Sequence, residues 1–251
     1  MNKKFGVIFA YLKDIFPNPE TELHYSTPFQ FLVAVMLSAQ ATDVQVNKVT
    51  DKIFQNIKKP EDLLTMGFDS FERSIRSVNY YHSKAKHIFA TAEIIMKNEQ
   101  WIMNNDGKKI YKNEKKIYKD GIPDTLEELM KLPWVGIKTA KLVAHVLYDK
   151  PFIAVDTHIH RVSNRLWLVK SPILKDSSPF KTKGAHTILS PEKTSELLEK
   201  RIPDEYKDHA HHALVLFGRY YCKAQKPKCE DCELQKLCIY YKQSFWTKWR
   251  I

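Results

Sequence analysis

Cysteine is absent from the first 221 of the 251 residues, and glycine is scarce, with 7 against 12 prolines. The four cysteines all fall within Cys222–Cys238. A disulfide framework would spread wider, so a reducing compartment, the cytoplasm, and a local metal site are expected. So little glycine excludes a fibrous repeat, and a hydrophobic content of 43% excludes a disordered chain. Long apolar runs are missing too. The longest, Phe31–Leu37, has seven residues, far short of the ~20 that span a bilayer. The opening MNKKFGVIFAYLKDIF has a basic start, but Lys13 and Asp14 interrupt its apolar stretch and no small-residue cleavage site follows. It reads as a helix rather than a secretory signal. Acidic side chains are in deficit, 29 against 40 Lys plus Arg, which leaves a net charge of +11 and a pI near 9.3. Such a field favours a polyanionic partner.

Strand alternation and internal repeats are also lacking, whereas helical periodicity recurs along the chain. Phe5, Ile8, Phe9, Leu12, Ile15 and Phe16 mark an amphipathic helix ended by Pro17 and Pro19. Ser26 and Thr27 before Pro28 open a second helix, apolar on every side from Phe29 to Ala39 and therefore a central packing element. Thr42 or Asp43 caps a third, to about Asn56, with Val46, Val49, Ile53 and Ile57 inward. Short helices are expected around Asp62–Thr65 and Phe68–Ser77, and a longer one over His82–Lys97. The pattern resumes at Thr125–Met130, Ile137–Tyr148 and Thr157–Leu168, then from Pro191 and over Asp204–Tyr221. Two stretches interrupt it. Asn98–Asp120, with six lysines against two Asp and two Glu, reads as a solvated loop or a short hairpin, and Lys170–Ser190 as irregular. The expected class is all-α.

Three motifs carry chemistry. In LPWVGIKTAK, Leu132–Lys141, Pro133 ends one helix, Gly136 permits a tight turn, and Lys138 with Thr139 opens the next. The amides around Val135, Gly136 and Thr139, at the positive end of a helix dipole, would hold a phosphate without reading a base; a hairpin that only packs has the same pattern. In IAVDTHIHRVSNRL, Ile153–Leu166, Asp156 is by itself a good N-cap. Paired with Lys138 it gains meaning, because a lysine nucleophile with a carboxylate to handle protons suits carbonyl or sugar C1′ chemistry. The third motif spaces Cys222, Cys229, Cys232 and Cys238 as C-x6-C-x2-C-x5-C. Four thiolates suit a [4Fe–4S] cluster or a structural zinc, and the spacing leaves both open. Lys223, Lys226 and Lys228 between the first two ligands are placed to meet phosphates.

These motifs, with LSAQATDVQVNK at Leu37–Lys48, closely resemble the endonuclease III family of DNA glycosylases, in order and separation, from about Phe16 to Cys238. The resemblance implies a two-lobed fold. A six-helix barrel over 23–150 would contain the helix-hairpin-helix at about 125–148, and residues 1–22 plus 151–251 would form the iron–sulfur lobe, with DNA between them. It implies a [4Fe–4S] cluster on the four cysteines, Lys138 as Schiff-base nucleophile, Asp156 as catalytic carboxylate, and Gln40 filling the space left by the extruded base. The implied activity is excision of oxidised pyrimidines from double-stranded DNA, followed by AP lyase cleavage by β-elimination. The protein would act as a nucleoid-associated monomer, binding damaged bases or abasic sites. Two further readings share these motifs. One is a monofunctional mismatch or adenine glycosylase, against which Lys138 argues. The other is a non-catalytic iron–sulfur DNA-binding protein that keeps Asp156 only as a cap.

Some residues depart from the family pattern or lie outside it. The family hairpin usually reads Leu-Pro-Gly-Val-Gly, and Trp134 stands at its first glycine; a left-handed backbone there would strain tryptophan by ~1 kcal/mol or more. Tyr80 aligns with the family's wedge leucine, either stacking in the duplex or packing as a partly buried aromatic. His209, His211 and His212 are expected to give a polar helix face with one packed histidine rather than a metal site. The aromatic tail after Cys238 is expected to cover an apolar face of the cluster lobe.

Overall fold

Threonine caps and an apolar stripe set most of the helices. In the computed structural model, which describes residues 3–97, 101–103, 109–111, 121–169 and 189–246, Thr27 caps α2 (Pro28–Ser38) and Thr42 caps α3 (Asp43–Ile53), each accepting a hydrogen bond from the amide three residues on. The chain forms two compact units, Glu22–Lys150 and Met1–Thr21 with Pro151–Ile251.

The Glu22–Lys150 unit is built around α2, whose residues Phe29–Leu37 are all buried. It touches α3, α6 (Tyr81–Lys97) and α8 (Ile137–Tyr148), the central position that an all-round apolar helix requires. The short helices α4 (Pro60–Met66) and α5 (Phe68–Ser74) and the one-turn α7 (Leu126–Leu129) complete the helical set. Only Gln30 breaks the apolar run of α2, and it is fully used. Its side chain accepts from the Ser26 amide at 2.6 Å and donates to the Phe54 and Ile57 carbonyls at 2.9 and 2.7 Å. Six helices of about two turns or more thus surround one core, together with α7. Strands Trp101–Met103 (β1) and Lys109–Tyr111 (β2) pair antiparallel, Trp101 opposite Tyr111, so part of the lysine-rich stretch takes the hairpin form. Three-residue strands are too short for periodicity to announce them. The rest of 98–120, and 170–188, lie outside the described residues.

The other unit packs α1 (Lys3–Ile15), α9 (Thr157–Arg165), α10 (Pro191–Arg201) and α11 (Asp204–Tyr220) around Phe5, Ile8, Phe9, Leu12, Leu214 and Phe217. Burying each such side chain contributes about 1.5–3 kcal/mol. A 3-10 turn, Glu233–Leu237, and α12 (Ile239–Trp246) follow. Gly218 lets α11 approach α9, since a Cβ there would stand 2.8 Å from the Cβ of His158 and 3.1 Å from its carbonyl oxygen. His211 and His212 are both buried, so this face holds two packed histidines rather than the one expected. The reason is rotational position: α11 meets both α1 and α9, and its apolar arc is wide enough for two neighbours. His209 bonds through Nε2 to the Phe16 carbonyl. Among the described residues, no helix is long and apolar enough to cross a membrane.

Lys84 is a buried cation in the Glu22–Lys150 unit. It is 1% exposed, and its Nζ donates to the Leu37 carbonyl at the end of α2 at 2.7 Å. Burial lowers its pKa from the ordinary 10.5 to about 8. Between those values the unfolded chain holds a proton that the folded chain has released, so stability rises with pH across that window. The stability difference between wild type and Lys84→Met, followed by denaturant unfolding, should therefore shift in favour of wild type from pH 8 to 10.5; a flat difference would place the ammonium in a well-solvated site. Gly218→Ala should destabilise by about 1–3 kcal/mol through overpacking, read as a lowered thermal midpoint; an unchanged midpoint would mean that α9 and α11 part freely.

Candidate functional site

The hairpin follows from local bonding. Thr125 caps α7, the Leu132 amide donates to the Leu129 carbonyl, and the Val135 amide closes the turn on the Leu132 carbonyl at 3.1 Å. Val135 is 5% exposed and its amide is already engaged, so neither its side chain nor its N–H is turned to a phosphate, contrary to the sequence reading. The turn's left-handed residue is Trp134, φ +61°, whereas Gly136 has φ −82° and needs no glycine for its backbone. That too corrects the sequence reading: the tight turn is made at the tryptophan. The strain there is about 1–2 kcal/mol. Trp134 is 47% exposed and meets His87 edge-on, ring centroids 4.4 Å apart at 85°, a contact worth about 0.5–1.5 kcal/mol.

Gly136 serves a different end. It is exposed, a Cβ on it would meet nothing within 4 Å, and it caps α8 without a side-chain hydrogen bond. The α8 ladder starts with the Ala140 amide on the Gly136 carbonyl at 2.9 Å. The Ile137, Lys138 and Thr139 amides lie ahead of it, at the positive end of the dipole. Lys138 is exposed in this first turn and Thr139 half-exposed. The result is an open turn at a helix start whose geometry suits an anion, with an amine beside it.

Asp156 is positioned from α10. Ser195 Oγ donates to the Ile153 carbonyl at 2.6 Å, and Glu199 Oε1 accepts from the Ile153 amide at 2.9 Å. The buried run Ile153–Val155 thereby delivers Asp156 to the start of α9. There it is the N-cap, its Oδ1 accepting from the Ile159 amide at 2.7 Å. The cap uses one carboxylate oxygen of a half-buried residue, and the second remains for chemistry.

Gln40 and Tyr80 are brought together by a bond that sequence reading did not foresee: Asn79 Nδ2 donates to the Gln40 carbonyl at 3.0 Å. A second tie runs from Gln45 Nε2 to the Ser77 carbonyl. Both residues are left-handed, φ +56° and +58°. Gln40 is exposed, and Tyr80, 63% exposed, is not a packed aromatic.

The four cysteines line one apolar cavity with Phe217 and Tyr221. Burial raises the pKa of Cys229 and Cys238 and pushes Cys232 up to about 11, with the neighbouring sulfurs adding to each rise. Thiolates held this close call for a cationic centre. A four-iron cluster, whose thiolates attach at separate irons, suits four sulfurs spread around one cavity. Arg165 reaches Cys222 Sγ at 3.4 Å, and the Tyr241 amide donates to Cys238 Sγ at 3.4 Å.

Arg161 and Arg165, which sequence reading passed over, organise this loop. Arg161 donates to the Cys222 and Gly218 carbonyls at 2.9 and 2.7 Å, and Arg165 to the Lys223 and Ala224 carbonyls at 2.7 and 3.1 Å. The available signal was two arginines at i and i+4 on the helix that Asp156 opens. Lys223, Lys226 and Lys228 are exposed, and Lys228 Nζ also lies 5.2 Å over the Tyr221 ring. From the tail, Tyr240 stacks beneath the Arg165 guanidinium at 4.0 Å, and 247–251 lie outside the described residues.

Comparison with known proteins supplies the family. The family model for an HhH-GPD superfamily base excision DNA repair protein matches residues 33–185, and that for the iron–sulfur binding domain of endonuclease III matches residues 222–238. Endonuclease III of Bacillus subtilis is 40% identical over 225 residues, 90% of this chain and 87% of the relative; that of Escherichia coli K12 is 36% identical over 241 residues, 96% and 97%. A solved trapped endonuclease III–DNA covalent intermediate superposes with a TM-score of 0.74 at 34% identity, covering 98% of this chain and 100% of its own. A non-covalent endonuclease III–DNA complex gives 0.75 at 33%, covering 98% of each. The matches take in both the hairpin with its lysine and the cysteine segment, and the chain belongs to the endonuclease III family of base excision DNA repair proteins.

Proposed function

We propose that Lys138 and Asp156 are the residues through which this chain performs its family's reaction, removal of oxidised pyrimidines from duplex DNA followed by AP lyase cleavage. The observation that carries the reading is an exposed lysine in the uncapped first turn of α8, in a chain whose fold matches a trapped endonuclease III–DNA covalent intermediate.

The damaged nucleotide must leave the stack before its C1′ is accessible. Lys138 Nζ, as free amine, then forms a bond to C1′ while the glycosidic bond breaks and the base leaves as an anion that takes a proton from solvent. Asp156 accepts the proton released by the attacking amine and stabilises positive charge developing on the sugar. Opening of the C1′–O4′ bond gives an iminium between Lys138 and the sugar. Its electron withdrawal acidifies the C2′ proton; loss of that proton expels the 3′ phosphate, and hydrolysis frees Lys138. Gly136 and the Ile137–Thr139 amides hold a backbone phosphate, Gln40 and Tyr80 enter the duplex, and Lys223, Lys226 and Lys228 meet further phosphates. Cys222, Cys229, Cys232 and Cys238 would hold the [4Fe–4S] cluster, which would supply a cross-link shaping this lysine loop. The chain is taken to act as a monomer on nucleoid DNA, and its net charge of +11 supports the polyanionic partner.

Borohydride should trap wild type on abasic-site DNA and fail to trap Lys138→Ala; trapping that survives the substitution would remove Lys138 from the role. Asparagine caps a helix about as well as aspartate, so Asp156→Asn should keep its thermal midpoint while thymine-glycol excision slows by about 10²–10⁴. Unchanged excision would leave Asp156 as a cap alone, and negligible cleavage by both proteins would favour the non-catalytic reading. Gly136→Ala, sterically free in the folded chain, should keep its midpoint and bind abasic DNA more weakly; equal affinity would show that no phosphate approaches there.

A further inference from the structure

Trp134 has no folding reason to be a tryptophan. Its φ of +61° is one that glycine adopts freely and a bulky side chain does not. The edge contact with His87 is of the same size as that strain and nearly half the side chain stays exposed, so folding gains little from the indole. Strain held at an exposed position points to use by a ligand.

Its surroundings say which ligand. Trp134 stands two residues before Gly136 and the uncapped α8 amides. His87, which holds the indole, lies on α6, and Tyr80 immediately precedes that helix, its carbonyl accepting from the Lys84 amide at 3.0 Å. Tyr80, at the start of α6, and Trp134, in contact with His87 of that helix, are thus two exposed aromatics on the unit that bears the phosphate turn.

We propose that Trp134 is a DNA-positioning residue, its indole face packing on the deoxyribose flanking the held phosphate and its N–H donating to a phosphate oxygen. This rests on the DNA-repair reading above. An indole is neutral, so it adds affinity without displacing counterions.

The test compares holo wild type, Trp134→Gly and Trp134→Phe for affinity to duplex DNA carrying a tetrahydrofuran abasic analogue, across a salt series, with thermal midpoints. Trp134→Gly should bind roughly tenfold more weakly, the size of one lost aromatic contact. Its log affinity against log salt should keep the wild-type slope, and its midpoint should equal or exceed wild type. Trp134→Phe should recover most of the affinity, and KM for abasic DNA should rise in Trp134→Gly with kcat unchanged. Wild-type affinity in Trp134→Gly would overturn the proposal. So would weakened binding with a lowered midpoint or a shallower slope, since the indole would then be shaping the turn and its phosphate site. Failure of wild type itself to bind abasic DNA would overturn the DNA-repair reading, and this proposal with it.

Discussion

Nine consecutive buried residues, Phe29–Leu37, leave α2 no face for water, and the arrangement of the Glu22–Lys150 unit follows from that. The surrounding helices must cover it on all sides, and its polar obligations fall on its ends. Gln30 meets them at one end with bonds to Ser26, Phe54 and Ile57. Lys84 meets them at the other, on the Leu37 carbonyl. Gln40 comes three residues after Leu37 and Tyr80 four before Lys84, so the bond that closes the core also fixes where those two side chains emerge. A buried amine is an expensive way to satisfy one carbonyl, which makes its position between the Gln40 and Tyr80 turns informative.

The left-handed residues Gln40, Tyr80 and Trp134 share a logic. Each stands at a turn where glycine would be easier, and each leaves its side chain exposed. A tight turn pushes its central residue outward, and a long side chain there can reach a partner that a flat helix face cannot. Strain at these positions is the cost of reach, and the bond from Asn79 to Gln40 holds two of the turns in step.

Around the cysteines the constraint is electrostatic. Thiols in an apolar cavity resist ionisation, and Arg165 places a guanidinium against Cys222 while holding the Lys223 and Ala224 carbonyls. Arg161 sits beside it, its own pKa lowered by burial. One helix, α9, thus begins with the carboxylate assigned to catalysis and ends with the arginines that shape the basic loop. Asp156 and the cluster are linked by nine residues of rigid helix.

Helix positions, the clustering of the four cysteines, Lys138 in the first turn of α8 and Asp156 as the cap of α9 were legible in the sequence because each depends on short-range pattern: apolar repeats, caps, ligand spacing and a motif within one turn. The register of the hairpin strands, the second packed histidine, the engaged Val135 amide and the arginine anchors were not, since each is decided by contacts remote in sequence or by one turn's dihedral angles. The role of Gly136 shows the difference most clearly. Its letter suggested a turn residue, and the dihedral angles moved the turn to Trp134 and left Gly136 exposed with open space at its Cα. The sequence by itself determined which chemistry the chain carries, because reactive groups are properties of residues. Only the tertiary structure decided which amides, rings and carboxylate oxygens remain available to act, because that depends on what the rest of the fold has already engaged.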